Sequence, residues 1–243
     1  LWSFSPSGRM LVTNEGEADE VSGFNNPVGS VSIVDVATRT VAHATFAAFE
    51  SQKAALQAAG VRIQDVNGIS LSQDMEPEYV AISADGTTAY VACQENNAFA
   101  IVDIASASVT SILPLGEKDH SLPGNAFDAS NDDNIDGNFQ NWPVKGYYMP
   151  DGICTFTVNG VEYIASANEG DGREYEGTPG YTDEDRADDL TLNATYWAEM
   201  GYDAENITAL QADEHLGRLK VSTADGDLDG DGEHEMIVGC LLY

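Results

Sequence analysis

The sequence predicts an all-β fold of the β-propeller class. Three observations predict it: a unit of three to four short strands recurs, an Asp-Gly turn marks the same place in two copies, and hydrophobicity alternates within the strands. The clearest copy runs from Tyr79 to Val109. Strands are expected at 79–83 and 88–93 around the turn Ala84-Asp85-Gly86, then a loop with Gln94-Glu95-Asn96, then a strand at 98–104. An earlier copy reads Phe4-Ser5-Pro6-Ser7-Gly8, Met10-Leu11-Val12, Asn14-Glu15-Gly16 and Val31 to Val36. A diverged copy reads Met149-Pro150-Asp151-Gly152, Tyr163-Ile164-Ala165, Asn168-Glu169-Gly170 and Gly217 to Val221. The expectation is one domain, about half of a propeller that is seven-bladed when complete. Blades fall near 1–45, 79–113 and 149–223, and a further blade starts at 233–243. The chain thus reads as an N-terminal fragment of a longer one.

Taken in order, the first blade is interrupted after Glu15 by the polar run EGEADEVSGFNNP, read as a solvated loop. The insertion 46–72 suits a short amphipathic helix, with Phe46, Phe49, Leu56 and alanines on one side and a stop at Gly60. Pro77 forces an extended approach to the second blade. The insertion 114–148 is long for a connection, but Trp142, Pro143, Tyr147 and Tyr148 predict that it is ordered and packed. The insertion 171–216 carries helix signals at Thr182-x-x-Asp185 and over Ala204 to Leu216.

Charge narrows the partners. The 243 residues hold 41 Asp plus Glu against 10 Lys plus Arg, a formal net of −31. Such a surface repels nucleic acid and anionic membrane and attracts cations. No run reaches the roughly 18 apolar residues of a membrane span. Cys93, Cys154 and Cys240 are too scattered for a disulfide framework or a zinc site. This balance suits a secreted, periplasmic or cell-surface protein.

Three constellations carry candidate chemistry. Superposing the repeats aligns Asn14-Glu15, Gln94-Glu95 and Asn168-Glu169 after equivalent strands, so Glu15, Glu95 and Glu169 should converge at the propeller axis, with Glu76 and Asp151 able to join them. Carboxylates so placed repel one another unless a cation or proton neutralises them; solvated loop acids are the alternative. The second constellation is Asp225, Asp227, Asp229, Asp231 and Glu233 in DGDLDGDGE, whose acids at positions 1, 3 and 5 and glycine at 6 suit an oxygen cage for Ca²⁺. The EF-hand's acid at position 12 is missing, since Met236 falls there. A looser acidic loop spans Asp128 to Asp136. The third is His120 with Lys118, Asp119, Asp171 and Arg173, where Arg173 could grip a phosphate and His120 serve as general acid or base. The alternative is that Arg173 pairs with a carboxylate and His120 caps a loop.

Several strings are specific: Met75-Glu76-Pro77-Glu78-Tyr79, Gln94-Glu95-Asn96-Asn97-Ala98, Lys118-Asp119-His120-Ser121-Leu122-Pro123-Gly124-Asn125, Asn141-Trp142-Pro143-Val144-Lys145-Gly146 and Ala167-Asn168-Glu169-Gly170-Asp171. Through them nearly the whole chain resembles the choice-of-anchor I family. That family is similar to mesenchyme-specific cell-surface glycoproteins, and some members are described as atypical alkaline phosphatases. The residues and the resemblance together lead to two expectations. One is a secreted or cell-surface calcium-binding propeller that binds cations, mineral or a surface glycan without turnover. The other is a metal-dependent phosphoesterase acting on a phosphate ester through its axial carboxylates. Ca²⁺ is the expected ion, with Mg²⁺ or another divalent cation as the alternative.

Overall fold

A computed structural model describes residues 1–18, 26–64, 68–173 and 183–240. Among these the fold is mostly β, built from several antiparallel sheets with no closed barrel. The first sheet is a four-stranded meander of β1 (Trp2–Phe4), β2 (Arg9–Asn14), β3 (Ser30–Asp35) and β4 (Thr40–Thr45). The second repeats that order with β5 (Tyr79–Ile82), β6 (Thr88–Cys93), β7 (Ala98–Asp103) and β8 (Ser108–Pro114). The strands and turns expected of the best repeat thus form one sheet, with β8 as an outer strand.

Period-2 alternation decides how these sheets stack. Leu11, Val31 and Ile33 of the first sheet and Val80, Ala89, Val91, Ala100 and Val102 of the second share one core. The opposite face of the second sheet offers Ala81, Tyr90, Ala92 and Phe99 to Ile153 and Ile164 of a hairpin, β11 (Pro150–Val158) and β12 (Val161–Asn168). The second sheet is therefore covered on both sides, and β6 accordingly holds small side chains such as Ala89, Ala92 and Cys93, each fully buried. Phe46, Leu71 and Met75 of the 46–72 insertion close the larger core. That insertion forms a 3₁₀ turn (Ala47–Gln52), α1 (Lys53–Ala58) and α2 (Leu71–Asp74), the last opened by a Ser70 and Gln73 capping box.

The third repeat departs from expectation. β14 (Lys220–Ser222) does not join the β11–β12 hairpin. It lies in a five-stranded sheet ordered β13 (Glu184–Arg186), β14, β15 (Ile237–Cys240), β10 (Val144–Tyr147) and β9 (Glu117–Asp119). β10 and β15 pair in parallel, Val144 opposite Ile237 through Tyr147 opposite Cys240. Two predicted insertions thus supply structure of their own, around a second core of Phe127, Trp142, Leu192, Trp197, Leu216 and Ile237. The helix signal near Thr182 is overturned where it can be seen: Thr182 lies outside the described residues, and Glu184–Arg186 is a strand on β14. The Ala204 signal gives α4 (Ala204–Leu210), capped by Asp203, and α3 (Ala194–Glu199) precedes it. The three cysteines are free, Cys93 and Cys240 buried and Cys154 exposed.

Candidate cation site in an acidic cleft

The segments after β2, β6 and β12 and the one before β5 meet at one cleft of about 440 Å³, lined by Glu15, Glu17, Glu76, Glu78, Gln94, Glu95, Glu169, Asp171 and Arg173 among others. Equivalent positions in stacked sheets bring these acids together, so Glu15, Glu95 and Glu169 do share one opening. Asp151 lies close enough to act electrostatically on Glu78.

Local chemistry fixes the loop that presents Glu95. Asn97 takes the left-handed conformation at φ 47° and donates its backbone N–H to Gln94 O at 2.8 Å. The Asn96 amide donates to Arg62 O at 2.9 Å and to Asp74 Oδ2 at 2.9 Å, and it accepts from Glu76 N at 3.1 Å. The loop is thereby tied to the segment carrying Glu76 and Glu78.

The electrostatics are those of crowded acids. Burial raises the Glu78 carboxyl far above its ordinary range, and the facing Glu95 carboxyl raises it further. Burial also raises Glu95, against the pull of Arg173. Glu15 is raised by burial and then by Glu95. Oε2 of Glu95 and Oε1 of Gln94 are buried and receive no hydrogen bond from the protein. A buried acceptor without a donor costs about 1–3 kcal/mol, and more when charged. A shared proton or a bound cation would relieve it. On the far wall, Gln94 Nε2 donates to Glu169 Oε2 at 3.4 Å.

One buried arginine, Arg173, lines this cleft and a second, Arg62, stands behind it. Arg173 donates from Nε to Glu76 Oε2 at 2.8 Å and from an Nη to Asp74 O at 2.7 Å. Arg62 pairs with Asp183 Oδ1 and Asp225 Oδ2 at 2.7 Å each, donates to Glu95 O at 3.1 Å, and lies 5.1 Å from the Tyr147 ring centre. Burial raises Asp183, but the charge and hydrogen bond of Arg62 together with those of Arg173 leave that carboxyl below its ordinary range.

The predicted partnership of Arg173 with His120 is not assembled. The Arg173 guanidinium is engaged with Asp74 and Glu76, a carboxylate pairing that satisfies a buried cation. His120 sits outside the cleft lining, in the loop between β9 and β10. Its Nδ1 bonds Asn125 O at 2.8 Å and its ring meets Phe127 edge-on. Burial lowers its basicity.

The DGDLDGDGE loop is rearranged relative to expectation. Asp225 points to Arg62 and Ser222, away from the other acids. Asp227 accepts from the backbone N–H groups of Gly230, Asp231 and Gly232, chiefly Gly232, which holds its carboxyl below the ordinary range. Gly226, at φ +101°, lets the loop close, since a Cβ there would lie 2.3 Å from Met236 O. Closure through Glu235 N and Met236 N to Gly226 O swings Glu235 inward. Carboxylate oxygens of Asp227, Asp229 and Glu235 then lie within 4.8 Å of one another. Asp231 and Glu233 are outside this group, and Glu235 is the member that sequence spacing missed.

A family model described as the choice-of-anchor I domain matches residues 2–240. No curated protein matches the chain.

Proposed function

The chain belongs to the choice-of-anchor I domain family, and we propose that it is a secreted or cell-surface β-propeller protein that holds a divalent cation, Ca²⁺, in its acidic cleft without turning over a substrate. Two successive four-stranded meanders stacked face to face, with a hairpin stacked next, support the propeller reading. The observation that carries the cation reading is the pair Glu78 and Glu95. Their carboxyls face each other in a buried setting, and Glu95 Oε2 lacks a donor.

Ca²⁺ suits this donor set better than Mg²⁺. Glu15, Glu78, Glu95, Glu169, Asp171 and the Gln94 amide offer many oxygens on several loops, as the 6–8 ligands of Ca²⁺ require, whereas Mg²⁺ demands tight octahedral geometry and keeps its waters. Asp227, Asp229 and Glu235 form a second, more exposed Ca²⁺ site. Phosphoester hydrolysis gains no support, because Arg173 and His120 do not come together at the cleft. The role that follows is attachment to cations or to mineral at the cell surface.

Calcium titration calorimetry on the protein and on Glu95→Gln tests this. The protein should take up two ions, the variant one. Equal stoichiometry in the two would overturn the assignment of the cleft.

A further inference from the structure

A second cavity, of about 780 Å³, shares Glu169 and Asp171 with the acidic cleft, but its other wall carries Arg186, Arg218 and Lys220 beside a single acid, Asp128. We infer that this pocket binds an oxyanion, a carboxylate, sulfate or phosphate group, between Arg186 and Arg218.

The composition makes the clustering informative. Only 10 cationic side chains face 41 acids, yet three of them line one cavity. Register explains how they meet. Arg186 on β13 lies directly opposite Lys220 on β14, and Arg218, in the turn that leads into β14, lines the same cavity. Like charges directly opposite across strands repel, and Glu184 offsets only Lys220 of the three.

Neighbouring acids do not neutralise the arginines. Lys220 pairs with Glu184 at 2.5 Å, but among the described residues neither Arg186 nor Arg218 forms an ion pair. Asp185 flanks Arg186, yet its carboxylate accepts the Arg186 backbone N–H at 2.8 Å and forms no ion pair with the guanidinium. The guanidinium groups are instead positioned by neutral partners. Arg186 donates to Arg218 O, and Arg218 Nε donates to Asn131 Oδ1 at 3.2 Å. A guanidinium has five N–H donors, and these bonds leave most of them for a planar or tetrahedral oxyanion.

Glu169 and Asp171 line both cavities and link them. A cation in the cleft would neutralise acids that face the pocket, so Ca²⁺ should strengthen oxyanion binding and the oxyanion should strengthen Ca²⁺ binding by the same factor. This coupling, unlike the pocket itself, rests on the cation reading given above.

The test is calorimetric titration with sodium sulfate, sodium phosphate and polygalacturonate, each with and without Ca²⁺. At least one should bind, with affinity falling as salt rises. Arg186→Ala and Arg218→Ala should each weaken it by about tenfold, with unchanged melting temperature and Ca²⁺ uptake, while Lys145→Ala should have no effect. Binding of the simple ions would identify a free-anion site, and binding of the polymer alone an acidic glycan. Failure of all three, or binding insensitive to both arginines, overturns the inference. Oxyanion binding that persists in Glu95→Gln without Ca²⁺ would leave the pocket standing even if the cleft held no metal.

Discussion

Glu95→Gln should raise stability in the absence of divalent cations and forfeit the stability that Ca²⁺ adds to the native protein. Without divalent cations at pH 8, the substitution removes a charge from a buried acid cluster and puts an amide donor beside Glu78. Relief of one donorless buried carboxylate oxygen amounts to about 1–3 kcal/mol. For a domain of this size each kcal/mol moves the midpoint by roughly 2–4 °C, so the metal-free variant should melt about 2–12 °C higher. With Ca²⁺ at a hundred times its Kd, the native protein should gain about 2.7 kcal/mol, or roughly 5–10 °C, that the variant does not. The pH dependence follows the same carboxyls. Because their folded-state pKa values are raised, the folded chain binds protons more tightly than the unfolded one. Their contribution is complete below the ordinary glutamate range and is lost as pH rises through the raised values. The metal-free protein should therefore lose stability from about pH 5 upward, and Ca²⁺ should restore it. Scanning calorimetry over pH, with chelator or with Ca²⁺, measures both effects. A native and a variant protein with the same Ca²⁺-dependent rise in midpoint would refute the reasoning.

Arg62→Met should destabilise the chain by about 3–5 kcal/mol, because Asp183 would remain buried and charged without its partner; urea unfolding of the variant gives the number. Asp183 supplies the acid limb. Its lowered carboxyl contributes stability above the ordinary aspartate range that disappears as pH falls through the lowered value, so acid unfolding should set in below about pH 4 and vanish as a distinct limb in Asp183→Asn, read by circular dichroism. Asp229→Asn should remove one bound Ca²⁺ from the 225–236 loop while shifting the melting midpoint by less than about 2 °C, since that side chain is exposed; Tb³⁺ luminescence and calorimetry separate the two effects.

The parts of the fold legible from sequence were those set by local pattern. The β5–β8 sheet announces itself through alternation and an Asp-Gly turn, and the match of its loop to the other copies places Glu15, Glu95 and Glu169 at equivalent positions from sequence alone. The mixed sheet was not legible because its central pairing, β10 with β15, joins strands about 90 residues apart in parallel, and no local signal specifies such a partner. Arg62 was illegible for the same reason. In Gly60-Val61-Arg62-Ile63 it looks like any insertion residue, and its partners are Asp183 and Asp225, far along the chain. Asp225 was misplaced by that unseen arginine, and Glu235 was missed because the spacing rule stops at Glu233 while the loop turns back at Gly226.

Arginine placement also bears on why a cation is proposed for the cleft. Arg62 and Arg173 are both buried, and each faces two carboxylates: Asp183 and Asp225 for the first, Asp74 and Glu76 for the second. Those pairings leave no spare positive charge in the polar interior, and burial raises the Asp74 and Glu76 carboxyls against the pull of Arg173. Glu15, Glu78 and Glu95 add further acids at the mouth of the same region, where Arg173 opposes the rise of Glu95 without cancelling it. Substituting a further internal cation would require another desolvated side chain, at a cost of several kcal/mol. A divalent ion from solvent supplies two charges at once and can leave again. On the cation reading proposed above, an acidic interior balanced in this way would tie the folded state to the ionic composition outside the chain, so chelation should loosen the Glu95 loop before the β5–β8 sheet. Hydrogen exchange would register this as faster exchange at Gln94 to Asn97 with Val91 and Val102 still protected, and uniform loosening of both would contradict it.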